Sequence, residues 1–178
     1  MAPWTKPRRA ASLWIGLAIA LAAHSQPRAS AGLYQVIDLG TLGGSTSVAY
    51  GINSSGQVVG YSRTSDGDTH AFLYENGSMA DLGTLGGTAS GAYAINDSGQ
   101  VVGYSRTSGG ETHAFLYSNG TMSDLAGLAG FSNQANGIND AGQIVGFTGN
   151  TAFLYENGTV TDLGNLGGTS AAAIGQVL

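Results

Sequence analysis

The sequence predicts an all-β fold of tandem four-stranded antiparallel repeats, β-propeller-like as a partial or small ring, with a β-trefoil as the alternative. Three observations lead there. One block of about 43 residues is written three times and begun a fourth: Asp38-Leu39-Gly40 returns as Asp81-Leu82-Gly83 and Asp124-Leu125-Ala126, and Ile52-Asn53 as Ile95-Asn96 and Ile138-Asn139. Within each block, short aromatic and β-branched runs alternate with Asn- and Gly-bearing turns. Nothing in the array has a helical period. A fixed period in this range signals stacked units, none of which buries its apolar face alone, so function belongs to the assembled array. The first two copies, 38–80 and 81–123, differ at 10 of 43 positions, the mark of a recent duplication.

A separate segment precedes the array. Lys6, Arg8 and Arg9 stand before the apolar run Ala10–Ala23, and Ala29-Ser30-Ala31 supplies small residues where a signal peptidase reads them. This is the pattern of a secretory signal peptide over 1–31, and Ala23-His24-Ser25 offers an earlier cut. The 14-residue run falls short of the roughly 20 residues that span a bilayer, which argues against a retained anchor. Arg8-Arg9 lacks the strongly hydrophobic continuation of a twin-arginine signal. The expected mature chain is a single β-repeat domain over 32–178, secreted or held in a periplasm, with no stable membrane insertion. Its repeats are 38–80, 81–123, 124–161 and a partial 162–178.

Composition narrows the function. Residues 32–178 carry Arg63 and Arg106 against eleven carboxylates and no Lys, a formal charge of −9. Nucleic-acid binding needs clustered cations to displace counterions, so no nucleic-acid partner is expected. The chain has no Cys, which excludes disulfides and thiolate metal sites.

In each repeat, taken in order, Ala49–Ile52 and Gln57–Ser62 flank the turn Asn53-Ser54-Ser55-Gly56, a hairpin with Gly where positive φ is wanted. Asn53 with Gly56, Asn96 with Gly99 and Asn139 with Gly142 fill that turn, the Asn side chains bonding to backbone. His70–Tyr74 follows a polar loop and pairs with Ser78–Leu82 across Asn76-Gly77. Asn119-Gly120 and Asn157-Gly158 repeat this strong hairpin signal. Gly83–Gly87 then crosses to the next copy, and Asp38, Asp81, Asp124 and Asp162 are expected to accept bonds from these glycine-rich linkers. Val58-Val59 and Phe72-Leu73 put apolar residues on both sides of the sheet, as expected where both faces meet neighbours.

At the ends, Tyr34–Leu39 reads as the last strand of a blade, and 162–178 opens a fourth copy whose His-Ala-Phe strand never arrives. The offset ends favour a propeller over a trefoil, with solenoid-like stacking a third arrangement. Open blade edges make self-association an expected partner mode.

His70-Ala71-Phe72, His113-Ala114-Phe115 and the variant Thr151-Ala152-Phe153 are each followed by Leu-Tyr, Asn-Gly and Asp-Leu downstream, and preceded by Ile-Asn-x-x-Gly-Gln. This ordered set resembles the bacterial extracellular repeat proteins of the HAF family. The resemblance covers nearly all of 34–178. It implies a secreted protein of repeated β units and supplies no catalytic residues. The chain departs by its shortness, by five residues lost before Thr151, and by Thr151 itself.

The recurring polar residues argue for structure more than chemistry. His70 and His113 lack a third equivalent, which makes a poor zinc site, and are expected to bond backbone or face solvent. Asp66-Gly67-Asp68 resembles a calcium-loop fragment, yet copy two reads Gly109-Gly110-Glu111. No catalytic, metal or cofactor residues are assigned. The leading expectation is a non-enzymatic binding or scaffold module whose partner is a protein or glycan. A carbohydrate-binding module using Tyr50, Tyr61, Tyr74 and their equivalents is the alternative. A propeller hydrolase or lyase comes third, since no nucleophile, base and orienter converge in the pattern.

Overall fold

The computed structural model describes residues 35–125, 133–169 and 171–172. The leader expected over 1–31 and the fragment Ala173–Leu178 lie outside the described residues. Twelve strands fall in one compact unit, Ile37–Leu178. Repeat 1 comprises β1 (Gly43–Ile52), β2 (Val58–Thr64), β3 (Thr69–Glu75) and β4 (Ser78–Gly83). Repeat 2 comprises β5 (Gly86–Ile95), β6 (Val101–Thr107), β7 (Thr112–Ser118) and β8 (Thr121–Asp124). Repeat 3 comprises β9 (Asn133–Ile138), β10 (Ile144–Thr148), β11 (Thr151–Glu156) and β12 (Thr159–Gly164). The fold is all-β, and no described residue is helical.

Each repeat is an antiparallel meander in which every strand pairs with the next. The turns follow from local chemistry. Asn76 and Gly77 take φ of 51° and 81°, Asn119 and Gly120 52° and 80°, and Asn157 and Gly158 51° and 78°, the paired positive values of the two-residue turn that matches strand twist. In the longer turns Asn53 Oδ1 accepts from the Ser55 and Gln57 amides at 3.1 and 3.0 Å, and the Gly56 amide donates to the Asn53 carbonyl at 3.0 Å. Gly99 and Gly142 donate likewise to Asn96 and Asn139.

The repeats pack face to face. One core joins Val59, Ala71, Leu73 and Leu82 of repeat 1 to Ala92, Ile95, Val101 and Phe115 of repeat 2. A second joins Val102, Ala114 and Leu125 of repeat 2 to Ala135, Ile138, Ile144 and Phe153 of repeat 3. Adjacent residues thus serve opposite neighbours: Val101 and Phe115 face back, while Val102 and Ala114 face forward. This is why the strands read as continuous apolar runs. Complete burial of Phe115 contributes about 2–3 kcal/mol from desolvation alone. The longer first strands of successive repeats lie against one another more extensively than the shorter fourth strands do. Among the described residues no strand pairing joins repeat 3 to repeat 1.

Two sequence expectations need correction. Gln35–Gly40 forms no strand: its equivalent β4 is a strand through its pairing with the His-Ala-Phe strand β3, and no described strand pairs with Gln35–Gly40. The first strand of repeats 1 and 2 runs further back than Ala49 or Ala92, taking in the second linker glycine, because Leu42 and Leu85 bridge Thr64 and Thr107 and carry the linker onto the sheet.

Candidate functional site

Each first strand carries a β-bulge at the same place: Tyr50 between Ala49 and Gly51, Tyr93 between Ala92 and Ala94, and Asn136 between Ala135 and Gly137. A bulge adds one unpaired residue, bends the strand and re-aims the extra side chain. It also brings two backbones together. A Cβ on Gly60 would lie 1.9 Å from the Val48 carbonyl oxygen, one on Gly103 1.9 Å from that of Gly91, and one on Gly146 2.0 Å from that of Gln134. The glycine that ends each Gln-x-Val-Gly motif is therefore required by the bulge.

The bulges assemble a row of tyrosines. Tyr50 lies 5.7 Å from Tyr61 and 5.3 Å from Tyr93, and Tyr93 lies 5.8 Å from Tyr104, all in tilted ring contact. The row crosses from repeat 1 to repeat 2 in the order Tyr61, Tyr50, Tyr93, Tyr104, and Tyr50 is 51% exposed. Burial, followed by the neighbouring Tyr104, Tyr50 and Tyr61, pushes the Tyr93 hydroxyl up to about 12. Burial is also the main cause of the upward shifts at Tyr50 and Tyr104. These phenols stay neutral and present ring faces with hydrogen-bonding hydroxyls. In repeat 3 the equivalent positions are Asn136 and Phe147, so the row changes character there. Tyr74 does not join it. Its equivalents Tyr117 and Tyr155 pack against the two inter-repeat cores.

A ladder of asparagines runs across the repeats on the turn end. Asn53 Nδ2 donates to the Asn96 carbonyl at 3.1 Å, and Asn96 Nδ2 to the Asn139 carbonyl at 3.0 Å. Beside it the Ser54 amide donates to Asp97 Oδ1, and the Asp97 amide to Asp140 Oδ1, each at 2.9 Å. The Ser54 bond holds the Asp97 carboxyl below its ordinary value. Gly56, Ser55, Gln57, Glu75 and Asn76 line a small polar cleft at this end, bridged by a 2.7 Å bond from Gln57 to Glu75.

The His-Ala-Phe strands place their three residues differently. Phe72, Phe115 and Phe153 are fully buried, as are Ala71 and Ala114, with Ala152 nearly so. The histidines meet carboxylates, where the sequence suggested backbone or solvent. His70 Nδ1 lies 2.8 Å from Asp81 Oδ2, and His113 Nδ1 2.7 Å from Asp124 Oδ2, with Glu111 3.4 Å from its Nε2. The His113 pKa is raised chiefly by the hydrogen bond to Asp124, which outweighs the opposing effect of burial, and the charge of Asp124 and the bond and charge of Glu111 add to the rise. The same Asp81 accepts from the Gly83 amide at 2.7 Å, as Asp38 does from Gly40 and Asp162 from Gly164. Asp38, Asp81 and Asp162 thus each fasten a glycine-rich linker, and Asp81 and Asp124 each hold a histidine. Thr151 gives the third aspartate no such partner; its hydroxyl donates to the Thr148 carbonyl.

Asp66 and Asp68 sit in the β2–β3 loop, where the backbone carbonyls of Gly67 and Asp68 accept from Arg63 and Thr64. Among the described residues no group of three or more His, Asp or Glu is placed to hold a metal ion. None of the described helices is long and apolar enough to cross a membrane, the described residues being strands and loops. Two features escaped sequence reasoning. The bulges have no composition signal of their own, although the clash-forming glycine at a fixed offset marks them in retrospect. The buried serines also escaped: Ser90 Oγ accepts from the Ala71 amide at 2.8 Å and donates to the Gly83 carbonyl, tying repeat 2 to repeat 1. No family model, curated protein or solved structure matches the chain.

Proposed function

We propose that the chain is a secreted, non-enzymatic repeat scaffold of the kind the HAF-family resemblance implies, its stacked units arranged as blades of a partial propeller and presenting a binding surface to a protein. The observation that carries this reading is the register of the stack: residues 43 apart touch in both the asparagine ladder and the tyrosine row. An array held by such neighbour contacts gains an extended surface without a central site. The propeller arrangement is supported by the four-stranded antiparallel meander in each repeat, although one parallel bridge, Thr69 to Ala89, joins repeats 1 and 2 into a single eight-stranded sheet; a trefoil would merge its repeats into one barrel. The recurring polar side chains hold turns and linkers, which favours a structural role for them over catalysis.

Carbohydrate binding is the second reading, favoured by one observation. Four tyrosine rings lie in a row with Tyr50 half exposed, and amphipathic rings of this kind stack on sugars. A glycan array probed with the purified chain and with Tyr50→Ala separates the two. Saturable glycan binding that Tyr50→Ala abolishes supports the second reading. Capture of a defined protein from culture medium, unaffected by added glycans, supports the first. Turnover of a substrate by the pure chain would overturn both.

A further inference from the structure

We propose that a second copy of this chain docks head to tail, its repeat 1 seated on the outward face of repeat 3. The three repeats are each other's control. Ile95 and Ile138 are each 9% exposed because each presses on the repeat before it, whereas Ile52, at the same position of repeat 1, is 69% exposed. The opposite face shows the reverse. Leu82 and Leu125 are 7% and 4% exposed beneath the following repeat, and Leu163 of repeat 3 is 51% exposed. On the face with which repeats 2 and 3 dock, repeat 1 therefore leaves Ala49 and Ile52 exposed, while Phe72 of that face is buried. Among the described residues, repeat 3 leaves Leu163 exposed on the face on which repeats 1 and 2 receive. The chain already makes this interface twice, and Ile52 and Leu163 stand exposed at the two matching positions of a third.

The polar ladder points the same way. Asn53 and Asn96 each donate to the backbone of the following repeat, while the Asn139 amide reaches its own Gln143 at 2.6 Å and no following repeat among the described residues. The Asn53 carbonyl of a second copy stands where the ladder would continue. One position differs. Asp97 and Asp140 accept an amide from the preceding repeat, and in repeat 1 that position is Ser54, which offers a hydroxyl in place of a carboxylate. The contact between copies is weaker than the internal one by that charge-assisted bond. Such a contact is heterologous, using two different patches, and adds whole copies to the stack. The inference holds whether or not the array binds a protein or a glycan.

Sedimentation velocity on the full-length chain between about 1 and 100 µM, a range that brackets ordinary transient interfaces, tests it. The expected result is reversible association to twice the chain mass or more. Ile52→Asp and Leu163→Asp should each give a monomer with the far-UV circular dichroism of the parent. Mixed, they should form a one-to-one heterodimer, because each retains the face that the other lacks. Ser54→Asp, a surface change with no folding burden, should tighten association several-fold. A wild-type chain that stays monomeric throughout overturns the proposal. So do a mixture of the two folded aspartate variants that stays monomeric, association surviving in either variant alone, and an affinity unmoved by Ser54→Asp.

Discussion

Replacing Asn96 by alanine, set beside the same change at Asn139, isolates the contribution of one bond between repeats. Asn96 Oδ1 accepts from the Gln100 amide at 2.9 Å, and its Nδ2 donates to Gln100 Oε1 at 2.7 Å and to the Asn139 carbonyl at 3.0 Å. Asn139 makes the first two of these within its own turn, at 2.9 and 2.6 Å. At about 1 kcal/mol net per bond, Asn96→Ala should cost about 3 kcal/mol and Asn139→Ala about 2. The excess is enlarged by the carbonyl of Asn139, left without its donor in a region where Asn96 itself is only 4% exposed. In a domain of this size 1 kcal/mol moves Tm by roughly 4 °C, so the melting temperatures should fall by about 12 and 8 °C. Urea unfolding of dilute protein, followed by circular dichroism, gives the free energies directly. Equal losses, or a larger loss at Asn139, would refute the assignment of a stabilising bond between repeats.

Three further outcomes are expected. Gly103→Ala, whose Cβ would meet the Gly91 carbonyl oxygen at 1.9 Å, should part β5 from β6 and cost about 3 kcal/mol or more, whereas Gly120→Ala, at φ 80° with nothing within 4 Å, should cost about 1–2 kcal/mol in denaturant titration. Phe115→Ala should cost about 3–5 kcal/mol and loosen repeat 1 from repeat 2, seen as faster amide exchange in β3 and β5; exchange confined to β7 would count against an inter-repeat core. The raised folded-state pKa of His113 means that its pairing stabilises fully below the unfolded value and fades as pH rises through the folded one. Stability should therefore decline from about pH 6 to pH 8, and His113→Gln should flatten that decline; an unchanged slope would show that the Asp124 pairing is not the source.

The all-β, antiparallel character was legible because the repeat supplied the same signals three times over. Asn-Gly at 76–77, 119–120 and 157–158 marks turns that only positive φ at both residues can make, and the structure closes a hairpin at each. Pairs such as Val101-Val102 showed that both faces are covered, and each valine does lie in a different core. What the sequence hid was anything that depends on a neighbour. Gln35–Gly40 resembles β4 in sequence but pairs with no strand among the described residues, and it makes none. The histidines had their carboxylate partners eleven residues away across a hairpin, a distance at which spacing alone says nothing of contact. Tyr50 and Tyr93 owe their row to bulges, which arise from backbone register and leave no mark in hydrophobic pattern.

The central claim is that successive repeats stack in register, residue against residue 43 positions on, and the Tyr50–Tyr93 ring pair tests it most directly. Their centroids are 5.3 Å apart across two repeats, while Tyr50 and Tyr61 are 5.7 Å apart within one. Nuclear Overhauser spectroscopy on tyrosine-labelled protein should give ring-to-ring cross-peaks for both pairs at comparable strength. A Tyr50–Tyr61 cross-peak without one between Tyr50 and Tyr93, in a folded sample, would contradict the stack.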